Sequence, residues 1–192
     1  MTLPLDQRPV IVALAGPNGA GKTTFYYAHL LEAALRFIEP DKLAKELKLD
    51  PSAASHLADK LRVLLLGQRE SFVFETVFSD PTGEKIGFLK KASALGYNVV
   101  LCFIGISSPE VSEERVAMRI SQDGHDVPTN KIVSRFPRTL ANLKVAIRQL
   151  PHVLIFDNDD LRKPFRQVAI FQNGSPEMLS DSIPQWLRPL LP

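Results

Sequence analysis

With 192 residues, 45% of them apolar and 23% charged, the chain has the makeup of a soluble domain with a sizeable core. Its 23 basic and 21 acidic residues nearly balance, and a net charge of +2 gives no ground for a nucleic-acid or membrane partner. The single cysteine, Cys102, lies in an apolar run and cannot form an internal disulfide, which suits a reducing compartment. The start, MTLPLDQRP, lacks the features of a signal peptide, and no apolar stretch reaches the length of a membrane span, about 18 residues. A cytoplasmic location is expected.

In chain order, VIVALA (10–15) is a continuous apolar run, the pattern of a strand buried on both faces. Helical periodicity follows from about Lys22 to Leu35. A short extended piece, RFIE, leads through Pro40 into a brief helix, DKLAKELKL, that stops before Pro51. An amphipathic helix opened by a Ser52 cap runs to about Glu70. FVFE (72–75) predicts the next strand. SDPTGEKIGFLKKASALG predicts the next helix, with an Asp cap, an early Pro and a terminal Gly. NVVLCFIGI (98–106), the longest apolar run, predicts a central strand, and SSPEVSEERVAMRIS a capped helix. The polar loop QDGHDV separates it from a helix over about Pro128 to Leu150. VLIFD (153–157) and RQVAIFQNG (166–174) are strand candidates, and the proline-rich tail reads as loops with a short helical turn. Strands alternating with helices predict an α/β domain with a parallel sheet, and no linker or repeat marks a second domain within 1–192.

Gly16-Pro17-Asn18-Gly19-Ala20-Gly21-Lys22-Thr23 matches G-x-x-x-x-G-K-[ST] without departure, and Thr24 follows. In this motif, glycines let backbone N–H groups converge on phosphate oxygens while the following helix presents its N-terminus. Lys22 would reach the β- and γ-phosphates, and the Thr23 hydroxyl would ligate Mg²⁺. The motif fits ATP or GTP; ATP is the expected donor.

Two acids compete to serve this loop. Asp157 ends VLIFD, and Glu75 ends FVFE just before Thr76. In small P-loop kinases the third strand lies beside the first, which would direct Glu75 into the crevice at the carboxyl ends of the strands. Asp157 reads better as a strand-end acid in the turn Asp157-Asn158-Asp159-Asp160. On the acceptor side, Asp41 follows the short second strand. It is equally a helix cap or a carboxylate that takes a hydroxyl proton.

Cations over a migrating phosphate would come from the arginines around QDGHDV. Arg115 and Arg119 share one helix face, and Arg135 and Arg138 lie beyond the loop, as in a closing lid. The bland alternative is that these arginines are solvated or paired with Glu113 and Glu114. His125 in the loop has no histidine at metal-ligand spacing, so zinc is not expected. Trp186 reads as a packing anchor.

Together, GPNGAGKTTF, IEPDKLAKEL, FVFETVFSDP and VSEERVAMRISQDGHDVPTNKIVSRFPRTLANL resemble the zeta toxin family of P-loop kinases, in a consistent order over about residues 10–160. The resemblance implies a three-layer P-loop kinase fold, strand order like 2-3-1-4-5, with a helical lid. It also implies transfer of the ATP γ-phosphate to a hydroxyl. The founding members phosphorylate the 3′-hydroxyl of the amino sugar in UDP-N-acetylglucosamine. By that analogy Asp41 is the catalytic base, and Glu75 and Thr76 hold the acceptor near the metal. Arg119 and Arg135 are the lid arginines, and His125 and Arg138 border the substrate. An antitoxin protein is the implied partner, although no antitoxin segment is legible in the chain. Three residues depart from the family pattern: Glu39 stands where Asn is usual, Val77 where Thr is common, and Asp123 where Gly is. Other readings are a kinase for a nucleoside, antibiotic or coenzyme hydroxyl, or a nucleotide-dependent switch using Asp157 and water.

Overall fold

The computed structural model of the protein describes residues 4–120 and 127–192. Among the described residues the helices and strands are β1 (Val10–Ala15), α1 (Lys22–His29), β2 (Arg36–Ile38), α2 (Pro40–Leu47), α3 (Pro51–Gly67), β3 (Phe72–Thr76), α4 (Glu84–Ala94), β4 (Asn98–Gly105), α5 (Pro109–Ile120), α6 (Thr129–Gln149), β5 (His152–Asp157), β6 (Arg166–Gln172) and β7 (Ser175–Leu179). They build one seven-stranded sheet in the order β2-β3-β1-β4-β5-β6-β7. The first five strands are parallel and take the expected order 2-3-1-4-5; β6 and β7 join antiparallel.

The continuous apolar runs become central strands because both sheet faces are covered. Alternate residues of β1 point to opposite sides. Ile11, Ala13 and Ala15 pack with residues of α3, α4, α6 and the tail, whereas Val10, Val12 and Leu14 pack with Phe25 and Tyr26 of α1. All six are fully buried, and the result is a three-layer α/β sandwich. No helix among the described residues is long and apolar enough to cross a membrane.

Four elements differ from the sequence reading. α1 ends at His29, and a 3-10 turn over Leu31–Ala33 closes on Ala34 in the left-handed region, turning the chain into β2. The cap of α3 is Asp50, whose carboxylate accepts from the Ser52 and Ala53 N–H groups at 2.9 and 3.1 Å, so Ser52 lies inside the helix. α4 begins at Glu84 behind Gly83 (φ 74), not at Asp80. The preceding segment instead forms a loop over the end of β3, held by α6. Thr139 Oγ1 donates to the Val77 carbonyl at 2.9 Å, and Asn142 Nδ2 donates to the Phe78 and Asp80 carbonyls, both at 2.9 Å. β7 was not predicted; it pairs with β6 as an edge strand, most of whose residues are exposed.

Candidate active site

The phosphate loop leaves β1 at Ala15 and is clamped from two sides. Gly16 has φ 146, and a Cβ there would lie 2.1 Å from the Ile104 carbonyl oxygen, so only glycine lets the loop pass β4 this closely. Ser112 of α5 donates its hydroxyl to the Asn18 carbonyl at 2.5 Å. Asn158, just beyond β5, donates Nδ2 to the Ala20 carbonyl at 2.8 Å and accepts from the Phe165 N–H at 3.2 Å. Gly21 opens α1 with φ 91 against the same Asn158 side chain. Lys22 is 5% exposed and curls over the loop, its Nζ donating to the Pro17 carbonyl at 2.9 Å. Thr24 lies on the exposed side of the first turn of α1.

Strand β3 runs parallel to β1 with Glu75 beside Leu14 and Thr76 beside Ala15. That register carries the Glu75 carboxylate to the foot of the loop. It accepts from Thr23 Oγ1 at 2.8 Å and lies 3.6 Å from Lys22 Nζ. Glu39, between β2 and α2, accepts from the same hydroxyl, 3.0 Å from Thr23 Oγ1. Burial, and then the charge of Glu75, push the Glu39 carboxyl above its ordinary range, while the Thr23 hydrogen bond opposes the shift. Among the described residues no three His, Cys, Asp or Glu side chains form a metal cluster alone. The donors at this point are a hydroxyl and two carboxylates, all hard oxygens, and they fit Mg²⁺ completed by water and phosphate oxygens.

Asp41 occupies the first turn of α2, and its carboxylate lies 3.8 Å from Arg119 Nη1 near the end of α5. The fold thus brings two predicted site residues within ion-pair distance. Thr76 Oγ1 accepts from the Phe78 N–H at 3.0 Å, which shapes the loop after β3. Arg138 Nε donates to the Ser79 carbonyl of that loop at 3.1 Å. Arg135 is half-buried on α6, one turn before Arg138. Arg115 packs against the phosphate loop, its Cβ 3.0 Å from where a Cβ on Gly19 would lie, and donates to the Asp159 carbonyl at 2.9 Å. His125 and Asp123 lie outside the described residues.

Asp157 is engaged structurally. Its carboxylate accepts from Trp186 Nε1 at 2.9 Å and from Arg166 Nη2 at 3.0 Å, and the residue is 9% exposed. Trp186, 7% exposed, is the packing anchor expected of it. Sequence reasoning overlooked Asn158 and Ser112 as supports of the loop. It also took Glu39 only as a departure from a pattern.

The strand order, the loop after β1 and the acid at the end of β3 define a P-loop kinase fold. A family model described as Zeta toxin matches residues 44–167, and the chain belongs to the zeta toxin family. That match begins after the phosphate loop and Asp41, whereas the resemblance in the sequence extends back to about residue 10. No curated protein sequence matches the chain. Among solved structures, it is similar to a chain of the AvrRxo1-ORF1:-ORF2 complex with ATP, with TM-score 0.71, 21% identity, and coverage of 90% of this chain and 61% of that one. It is also similar to the PezAT chromosomal toxin-antitoxin system of Streptococcus pneumoniae (TM-score 0.60, 16% identity, 97% and 78% coverage). A third is shikimate kinase from Bacteroides thetaiotaomicron (TM-score 0.51, 18% identity, 80% and 89% coverage). At these identities the likeness is one of fold. The chain spans about three fifths of the AvrRxo1-complex chain.

Proposed function

We propose that the protein is an ATP-dependent kinase that transfers the γ-phosphoryl group to a hydroxyl of a small molecule. The observation that carries this reading is the pairing of Asp41 with Arg119 at 3.8 Å, near the Lys22, Thr23 and Glu75 cluster: Glu39, which bonds Thr23, feels the Asp41 charge. A carboxylate there can orient an acceptor hydroxyl and take its proton, while the cation beside it carries charge on the transferred group. The rival metal acid, Asp157, is committed to Trp186 and Arg166.

In the reaction the acceptor oxygen forms a bond to the γ-phosphorus as the bond to the bridging β,γ-oxygen breaks. ADP departs with that electron pair, and Asp41 takes the acceptor proton. Lys22 exchanges the Pro17 carbonyl for β- and γ-phosphate oxygens, while Arg119 and Arg135 carry charge on the transferred group. Backbone N–H groups from Asn18 to Thr24 cradle the phosphates, with Gly16 and Pro17 shaping the loop. Thr23 and Glu75 would hold Mg²⁺, which when bound neutralises the phosphate charge. Thr76 and Arg138 border the acceptor pocket, and His125 is assigned to the same pocket by family pattern.

ATP is favoured over GTP by the family and by the ATP bound in the AvrRxo1 complex. For the acceptor, membership of the zeta toxin family favours a UDP-activated amino sugar such as UDP-N-acetylglucosamine. The toxin-antitoxin neighbour favours an antitoxin protein as partner. Incubation with ATP, Mg²⁺ and a panel of UDP-sugars, nucleosides, antibiotics and coenzymes tests this. The expected result is acceptor-dependent ADP release with one phosphoryl group added to a UDP-amino sugar. ADP release without any acceptor dependence would overturn the kinase reading.

A further inference from the structure

We propose that Glu39 is a second carboxylate of a divalent-cation site at the foot of the phosphate loop, so that the chain holds Mg²⁺ or Mn²⁺ before a nucleotide binds. The inference rests on the reading of that loop as a nucleotide site, and it adds a ligand the family pattern lacks, since Asn is usual at this position. Glu39 stands at the N-cap of α2, where a side chain commonly turns back to the helix N–H groups. It makes no such bond. The carboxylate is turned instead to Thr23 Oγ1 at 3.0 Å, opposite Glu75 at 2.8 Å.

One hydroxyl has one proton, so it cannot donate fully to both acids. Two half-buried carboxylates therefore converge on a single donor. The cation beside them, Lys22, lies 3.6 Å from Glu75 and donates to Pro17. An entering nucleotide draws Lys22 toward phosphate and leaves the pair with still less positive charge. A hard divalent ion offsets both charges and takes Thr23 as a third oxygen, with water completing its shell. Asparagine at this position would supply a neutral oxygen and reach one methylene less.

The test is Mn²⁺ titration of the whole protein without nucleotide or acceptor, followed by electron paramagnetic resonance of free Mn²⁺ and by the metal-induced rise in melting temperature. The parent is expected to bind one Mn²⁺ per chain, displaceable by Mg²⁺. Glu39→Gln and Glu39→Asn should each weaken binding about tenfold or more, as should Glu75→Gln. Glu177→Gln, an exposed carboxylate on β7 outside the site, should stay near the parent. Using both Glu39 variants, checked by far-ultraviolet circular dichroism, guards against one that fails to fold. Parental Mn²⁺ binding in both Glu39 variants, or no binding by the parent up to millimolar Mn²⁺, overturns the proposal. Because neither ATP nor acceptor is present, a failed kinase assay leaves this result standing. Conversely, Mg²⁺-dependent phosphoryl transfer by a parent that binds no Mn²⁺ alone removes only this proposal.

Discussion

The Asp41 carboxylate and the Arg119 guanidinium face each other at 3.8 Å, from the first turn of α2 and the last turn of α5. Both side chains are about half exposed, so as an ion pair they contribute only about 0–1 kcal/mol to stability. Their juxtaposition matters for chemistry. Asp41→Asn keeps the shape and removes the proton acceptor. It should lower phosphoryl transfer about 10²–10⁴-fold while the melting temperature moves by no more than about 4 °C. Turnover and a thermal melt on the same preparation check both halves.

Lys22 is expected to carry nucleotide affinity. Replacing it with Met removes the only charged donor at the centre of the loop. The rise in melting temperature that ATP and Mg²⁺ give the parent should vanish in Lys22→Met, as read by differential scanning fluorimetry. A parental shift in the variant would remove Lys22 from the site.

Asn158 should support the same loop indirectly. Asn158→Ala leaves the buried Ala20 carbonyl without its donor, at a cost of about 1–3 kcal/mol. The expected signature is a lower melting temperature together with weaker nucleotide binding in a fluorescent-nucleotide titration. Weaker stability with unchanged affinity would make Asn158 a brace for β6 alone.

Asp157 is expected to matter for folding and not for turnover. Asp157→Ala leaves Trp186 Nε1 and Arg166 Nη2 without their acceptor, and a loss of about 1–3 kcal/mol should lower the melting temperature by several degrees. Activity per folded molecule should stay at the parental level. A collapse of turnover in a fully folded sample would return Asp157 to the site.

Cys102 is fully buried in β4, and burial pushes its thiol up to about 12. An unfolded thiol ionises near 8.5. The folded state therefore keeps its proton where the unfolded state loses it, and this contribution to stability, complete below about pH 8.5, declines as pH rises toward 12. Iodoacetamide should leave the native protein unlabelled at pH 8 and react on denaturation. Cys102→Ala should flatten the alkaline loss of stability.

The phosphate loop and central strands were legible in the sequence because their signals are contiguous: eight motif residues in a row, and apolar runs that only a doubly covered sheet accommodates. Glu75 was legible through strand order, which places β3 beside β1. β7 was not, because an edge strand with one exposed face needs no apolar run. The cap of α3 was read at Ser52 and falls at Asp50, because both residues cap well and only backbone geometry chooses between them. Asn158 looked like a turn residue; its bond to Ala20 spans 138 positions. Glu39 differed from the family pattern, but its meaning came from the hydroxyl it meets across the crevice.

The most direct test of the account is the UDP-N-acetylglucosamine assay with ATP and Mg²⁺, run on the parent and on Asp41→Asn and read by mass spectrometry of the acceptor. The account predicts one added phosphoryl group with the parent and almost none with the variant. Equal product from both, or ADP formed without phosphorylation of any acceptor in the panel, would contradict it.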